Sequence, residues 1–157
     1  MNARHWGWLA IGALGAAPQA AMADRGLRLD TQMFVERIGT DLNGRARRTL
    51  HSASRAAPGD RIIYVITFRN ESEEAVRGIT LTRPLPRGAR LNGAVGDVMV
   101  SVDNGDSWGR LDRLWVPTPL HGTRRATPDD VTHVRWTLAS DIPPGEGGRL
   151  SYRATMR

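Results

Sequence analysis

The sequence predicts an all-β protein, an antiparallel β-sandwich of about seven to eight strands. Apolar and polar residues alternate with a period of two, and no stretch carries the apolar stripe of an amphipathic helix. Each short apolar run also ends in a turn-forming residue. The chain has 157 residues, of which 40% are hydrophobic, and these values suit one globular domain.

The predicted strands follow from this alternation. They cover residues 31–38, 47–54, 61–69, 75–82, 97–102, 107–115, 131–138 and 149–156. Asn43-Gly44 predicts a hairpin turn between the first two strands, because both residue types accept the positive φ of a primed turn. Pro58-Gly59-Asp60 predicts a turn before the third strand, whose apolar residues on both faces indicate a central position. Trp136 alternates with polar neighbours and is predicted to lie in the core.

The first 23 residues have the pattern of a secretory signal peptide. A short basic start at Arg4 precedes an apolar stretch rich in Gly and Ala, and Ala21-Met22-Ala23 is a small-x-small cleavage site. The apolar stretch is shorter than the roughly 20 residues that a membrane-spanning helix needs. We therefore expect cleavage before Asp24, a single domain over residues 24–157, and no membrane span.

Charge and cysteine usage narrow the class of protein. All 22 basic residues are Arg, which fits a GC-rich coding bias, and loss of Arg4 leaves a formal charge of 21 − 16 = +5. The absence of Cys excludes disulfides, thiol catalysis and a lipid anchor on a cysteine. We expect a soluble, basic, exported protein, periplasmic or extracellular, whose stability comes from its core.

Several signatures occur in a characteristic order. They are Pro58-Gly59-Asp60 with Tyr64 and Asn70, the stretch 82–88 with Pro84-Leu85-Pro86, and the stretch 131–152 with Val134-Arg135-Trp136-Thr137-Leu138 and Pro143-Pro144-Gly145-Glu146. Over about residues 34–156 the chain resembles one copy of the bacterial conserved-repeat domain of unknown function that is number eleven in its series. The resemblance implies an immunoglobulin-like β-sandwich used in exported and cell-surface proteins, and it names no reaction. Many members have an Asp before the Pro-Leu-Pro corner, where this chain has Arg83.

The segment 101–108 matches the Asp-box pattern, with Ser107 in the place of Thr. We expect a structural hairpin in which Asp103 accepts hydrogen bonds from its own turn and Trp108 packs back over it. The hairpin residues are Ser101, Asp103, Gly105 and Trp108. A calcium site is the alternative, but the remaining positions of an EF-hand loop and its terminal Glu are missing. We expect neither a metal nor a cofactor.

No enzyme motif is present, since the histidines lack metal-ligand spacing and there is no nucleophile elbow or phosphate loop. We therefore predict a protein that is not an enzyme. Two groups of residues are binding candidates. The first is the long segment 117–130, with His121, Arg124, Arg125, Asp129 and Asp130. Its two Asp residues could equally pair with nearby Arg and cap the turn.

The second candidate is a basic face. If the last two predicted strands are antiparallel neighbours, their outer face gathers His133, Arg135, Arg149 and Arg153. Such a face would bind polyanions, and we expect weak binding because nearby Asp residues offer internal partners.

The function that these patterns favour is a non-enzymatic exported module of the bacterial envelope or surface. It would contact another envelope or surface protein through a sheet edge or the segment 117–130. The alternative is a carbohydrate-binding or carbohydrate-active protein, suggested by the Asp-box pattern and the aromatic residues; catalysis would require paired carboxylates at a cleft. A third interpretation is adhesion to lipopolysaccharide phosphates or nucleic acid. An even scatter of charge argues against a specific nucleic-acid site.

The signal-peptide prediction is tested by the mass of the exported protein. We expect a mature N-terminus at Asp24, because Ala21 and Ala23 are the small residues that a signal peptidase requires. Intact-mass spectrometry of the exported protein measures this directly. A mass that retains residues 1–23 would refute export through this peptide.

Overall fold

A computed structural model describes residues 26–94 and 96–157, so the predicted signal peptide and its cleavage site at Asp24 lie outside the described residues. The described chain is all-β, with ten strands and one short 3₁₀ helix, Leu111–Arg113. The strands are β1 (Leu27–Thr40), β2 (Ala46–Ser52), β3 (Arg61–Asn70), β4 (Thr80–Pro84), β5 (Ala89–Ala94), β6 (Val98–Ser101), β7 (Trp115–Pro117), β8 (Thr123–Arg125), β9 (His133–Thr137) and β10 (Gly147–Met156). No helix in this part of the chain is long and apolar enough to cross a bilayer.

The strands form two main sheets and a small hairpin, all antiparallel. The five-stranded sheet has the order β2-β1-β3-β10-β5, the three-stranded sheet has the order β4-β9-β6, and β7 pairs with β8. The two main sheets face each other, since the rings of Trp136 on β9 and Tyr152 on β10 lie 6.4 Å apart. The predicted all-β sandwich is confirmed, with ten strands rather than seven or eight.

The protein has two facing antiparallel sheets, as an immunoglobulin domain does, but the order of the strands in these sheets differs. When β2 and the β7–β8 hairpin are set aside, the remaining strands can be lettered A to G along the chain. A constant-type immunoglobulin domain then has the sheets ABED and CFG. This protein has ABGD and CFE, so its fifth and seventh strands have exchanged sheets.

The core lies between the two main sheets and follows the alternation of the strands. On β3, Ile62 and Ile66 are fully buried, and the fully buried Val134 and Trp136 face them from β9. The predicted central position of β3 is confirmed, since β1 and β10 flank it. Its outward-facing residues Ile63 and Val65 are only half-buried. One face of β3 therefore builds the core, and the other receives partial cover from neighbouring side chains.

The predicted hairpin between β1 and β2 exists, although its chemistry differs from the prediction. Gly44 has a φ of 75°, but Asn43 does not share the left-handed conformation. The Asp41 carboxylate instead accepts hydrogen bonds from the N–H groups of Asn43 and Arg45, both at 2.9 Å. A side-chain acceptor therefore holds this turn, where the sequence suggested a primed Asn-Gly turn.

Two predicted strands are partly or wholly wrong. The predicted strand 75–82 begins only at Thr80, because the Asn70 amide bonds the carbonyls of Glu74 (2.7 Å) and Ile142 (2.8 Å) and holds the preceding segment as a loop. Residues 107–115 contain the end of a hairpin and the 3₁₀ helix instead of a strand. The strands β5, β7 and β8 are not predicted by the alternation in the sequence. They are short, and the Asn92-Gly93 pair in β5 has low β propensity.

The predicted pairing of the last two strands is also wrong. The strand β9 pairs with β4 and β6, whereas β10 pairs with β3 and β5. Each strand buries one face, as its alternation predicts. Two such strands can be neighbours in one sheet or face each other across a core, and alternation alone does not distinguish these arrangements.

The burial of Trp136 gives a quantitative test of the core. Trp136 is only 1% exposed, so Trp136→Ala should lower the free energy of unfolding by about 3 to 5 kcal/mol. Trp115→Ala is the control, because Trp115 is 54% exposed and should cost less than about 1 kcal/mol. Urea unfolding of both variants measures the difference. Equal stability of the two would contradict the placement of Trp136.

Candidate functional site

The segment 101–108 forms a hairpin closed by its own hydrogen bonds. The buried Ser101 hydroxyl donates to Asp103 at 2.7 Å and accepts the N–H of Gly105 at 2.8 Å. Asp103 also accepts the N–H of Ser107 at 3.0 Å, and the Trp108 indole donates to the Gly105 carbonyl at 2.9 Å. Asp103 therefore accepts hydrogen bonds from its own turn, as expected, and Gly105 has a φ of 102°.

The electrostatics of Asp103 reflect these bonds. Hydrogen bonds from the Ser107 hydroxyl, the Ser101 hydroxyl and the Ser107 N–H lower the pKa of Asp103 to about 2. The same groups occupy its carboxylate oxygens. Across residues 26–94 and 96–157, no group of three or more His, Asp or Glu side chains is placed to hold a metal ion.

Trp108 also covers part of the outer face of the three-stranded sheet. The Arg135 guanidinium lies 3.6 Å from the centre of the Trp108 ring, and its Nε donates to the Thr82 hydroxyl at 3.2 Å. The His133 ring meets Trp108 edge-on, with ring centres 6.3 Å apart. One face of Trp108 is therefore taken by a cation from its own chain.

The predicted basic face does not form one surface. His133 and Arg135 belong to β9 in the three-stranded sheet, whereas Arg149 and Arg153 belong to β10 in the five-stranded sheet. On each strand these residues alternate with core residues, so they point away from the core. Because the two sheets face each other, the two pairs lie on opposite sides of the sandwich. Binding of polyanions by each pair stays a prediction.

The segment 117–130 contains the β7–β8 hairpin, where the sequence suggested a loop without structure. Pro117 pairs with Thr123, and His121 lies at the exposed tip with a φ of 60°. Arg125 stacks over Trp115, 5.0 Å from the ring centre. One of the two predicted arginines is therefore engaged by an aromatic ring of its own chain.

The two Asp residues after this hairpin have partners within the chain. Arg124 bonds both oxygens of Asp130 at 2.7 Å, and Asp130 also accepts the N–H of Thr127 at 2.8 Å. These bonds, led by the one from Arg124, lower the pKa of Asp130, and the bond to Asp130 raises the pKa of Arg124. Asp129 pairs with Arg90 at 3.3 Å and with Arg157. The expected internal pairing is present, and a binding role of this segment stays a prediction.

A different surface, which the sequence did not single out, projects beyond the sandwich. The strand β1 pairs with β3 only as far as Glu36, but it continues with β2 to Thr40. Residues 37–49 thus form a two-stranded projection, called here the β1–β2 ribbon. Its side chains Ile38 and Leu42 are 59% and 106% exposed, and Leu50 at its base is 54% exposed. In the sequence, the feature that indicates this surface is Leu42, an apolar residue within an otherwise polar turn.

The outer side of β2 is an open sheet edge. The N–H of Asp41 bonds the Arg45 carbonyl, and the N–H of Ala53 bonds the Met33 carbonyl, so the odd-numbered residues of this strand face β1. The N–H and C=O groups of Arg48, Leu50 and Ser52 therefore point outward. Among the residues that the structure describes, no backbone group bonds them.

The other sheet edges are at least partly closed. On β6, Val100 exchanges backbone hydrogen bonds with Gly109, and on β5 the N–H of Leu91 donates to the Pro128 carbonyl. The short edge strand β4 ends in Pro84, which has no N–H. The β2 edge and the ribbon that extends it are consequently the candidate functional site.

Comparisons with known proteins identify no relative of this chain. No protein-family model, curated protein or solved structure matches the chain. Function is therefore inferred from the described residues and from the sequence patterns above.

The Asp103 hairpin predicts a pH-dependent contribution to stability. Because the folded pKa of Asp103 is about 2, below the ordinary 3.8, its contribution is present above pH 3.8 and is lost as the pH falls through about 2. Asp103→Ala should lower the unfolding midpoint at neutral pH, and its difference from the wild type should shrink toward pH 2. Asp106→Ala in the same loop is the matched control. A difference that is constant with pH would contradict this role.

Proposed function

We propose that the protein is an exported, non-enzymatic β-sandwich module that binds an extended segment of another envelope or surface protein along the β2 edge. The observation that carries the proposal is the row of outward N–H and C=O groups on Arg48, Leu50 and Ser52. An extended peptide that adds a strand to such an edge gains main-chain hydrogen bonds, and its side chains give specificity. The resemblance to an exported repeat family supports the compartment.

The contrast among the edges supports this choice. Proteins usually protect an open edge with proline, charge, a covering segment or short length, because it can pair with other chains. Here β4, β5 and β6 have proline, short length or backbone cover, whereas β2 is seven residues long, has only the charge of Arg47 and Arg48, and leaves its outer backbone groups unbonded within the described chain. The exposed Ile38 and Leu42 add apolar area that a partner would cover.

The charge of the ribbon indicates the chemistry of the partner. Residues 37–49 contain four Arg and one Asp, a formal charge of 4 − 1 = +3. The Arg48–Glu36 contact at 3.5 Å leaves the Arg48 side chain 66% exposed, so this cation is available. A partner strand with acidic residues next to apolar ones would match the ribbon.

The carbohydrate alternative has less support from the aromatic residues. Arg135 lies over Trp108, Arg125 lies over Trp115, and Trp136 is buried. A sugar that stacks on either of the first two rings would have to use the other face or displace an arginine. This alternative stays a prediction without a specific observation in its favour.

The proposal is tested by site-specific photo-crosslinking in the envelope of the producing cell. A photoreactive residue at Ser52 reports on the β2 edge, and one at His121 reports on the β7–β8 hairpin. We expect one discrete protein adduct from position 52. The adduct should disappear in Arg48→Pro, which removes an outward N–H, and persist in Arg48→Ala, which loses the same charge but keeps that N–H.

The outcomes of this experiment separate the candidate surfaces. Arg48→Pro should keep the unfolding midpoint of Arg48→Ala, because the altered N–H faces away from β1. An adduct at position 52 that is insensitive to proline would refute strand addition. An adduct from position 121 alone would show that the partner binds the segment 117–130 instead of the β2 edge.

A further inference from the structure

A cleft opens between the two main sheets, away from the β2 edge. Its volume is about 360 Å³, and it lies between β1, β3 and β10 on one side and β4 with its following turn on the other. Its walls include Ile66 and Leu85, which are apolar, and the rings of Tyr64 and Tyr152. Small-molecule sites in proteins are typically clefts of roughly 300 to 1,000 Å³ with mostly apolar walls. The cleft is therefore large enough for a small ligand.

The floor of the cleft is a tyrosine pair. Tyr64 on β3 and Tyr152 on β10 are cross-strand partners, and their rings stack with centres 5.0 Å apart and planes 15° apart. Tyr152 is buried, and its hydroxyl contacts the Pro84 carbonyl at 3.4 Å. Tyr64 is half-buried, and its hydroxyl bonds no other group in the described part of the chain. Burial raises the pKa of both phenols, so both are neutral at physiological pH.

Among the described residues that line the cleft, Arg83 is the one cation. Arg83 reaches from β4 to β1, where its Nη2 donates to the Thr31 hydroxyl at 2.8 Å. This bond links the two sheets and holds the guanidinium at the cleft wall. Among the described residues, no carboxylate lies within ion-pair distance of Arg83, whereas Arg124 bonds both oxygens of Asp130. The remaining N–H donors of Arg83 are available to an anion.

We propose that this cleft binds a small organic carboxylate with an aromatic or branched apolar body. The carboxylate lies against Arg83, whose planar guanidinium can donate two parallel hydrogen bonds to it. The body packs against the half-buried Tyr64 and Leu85, which lie over the buried Tyr152 and Ile66, and the Tyr64 hydroxyl offers a further hydrogen bond. The site uses no residue of β2, so it goes beyond the proposed function and can succeed or fail independently of it.

The test is an NMR titration of isotope-labelled protein with phenylacetate, and with uncharged phenylacetamide for comparison. We expect saturable shifts of the backbone amides of Tyr64, Ile66 and Leu85, with phenylacetate bound about tenfold more tightly than phenylacetamide. Arg83→Gln should weaken phenylacetate binding about tenfold and leave phenylacetamide binding unchanged. Arg87→Gln is the matched control, since it removes the same charge near the cleft without lining it.

Further results would overturn the proposal. Equal affinity for the acid and the amide would show that Arg83 is not an anion anchor. Shifts that do not saturate, or that occur away from the cleft, would show that the cleft is not a binding site. If Arg83→Gln loses its fold because the Thr31 bond is lost, Arg83→Lys decides the question. This variant keeps the charge but lacks the planar fork, and it should bind phenylacetate several-fold more weakly than the wild type.

Discussion

Packing across the two sheets at Tyr152 is the interaction on which most of the structure depends. The Tyr152 ring contacts Trp136 of the facing sheet, and it also stacks on Tyr64 of its own sheet. Tyr152 and Ile66 belong to the core, Tyr64 packs against it, and all three line the cleft between the sheets. Large buried aromatic residues dominate the energetics of a core. The rings of Trp136, Tyr152 and Tyr64 therefore set how closely the two sheets approach each other. The same residues therefore determine the core and the shape of the cleft.

Polar side chains close the loops of a protein that has no cysteine. Asp41, Asp60, Asn70, Asp103 and Asp130 each accept or donate hydrogen bonds that tie a turn to its own backbone. Such local bonds are individually modest, but each satisfies backbone groups that a turn would otherwise leave unpaired. The Arg residues extend this scheme, since Arg37 reaches Asp60 and Arg124 reaches Asp130. Part of the charge thus has a structural use.

Two further features, the ribbon and the cleft, are the surfaces to which the proposals refer. The ribbon adds Arg residues and exposed aliphatic side chains to the one long edge strand whose outer backbone groups are unbonded within the described chain. Arg83 lines the cleft and donates a hydrogen bond to the Thr31 hydroxyl of the facing sheet. We propose a macromolecular partner for the first surface, because an edge offers a row of backbone groups. We propose a small anion for the second, because Arg83 lines the cleft.

The sequence by itself determined the class of fold, the burial of Trp136, the central position of β3 and the turn positions, because alternation and turn chemistry are local properties. It also located the Asp103 hairpin, because the hydrogen bonds of Asp103 and Trp108 lie within eight residues. Only the tertiary structure decided that β9 and β10 lie in different sheets, and so separated Arg135 from Arg153. Only the tertiary structure placed Arg83 beside the tyrosine pair and left β2 at an edge. These features depend on contacts between residues distant in sequence, and local periodicity is the same whichever strands become neighbours.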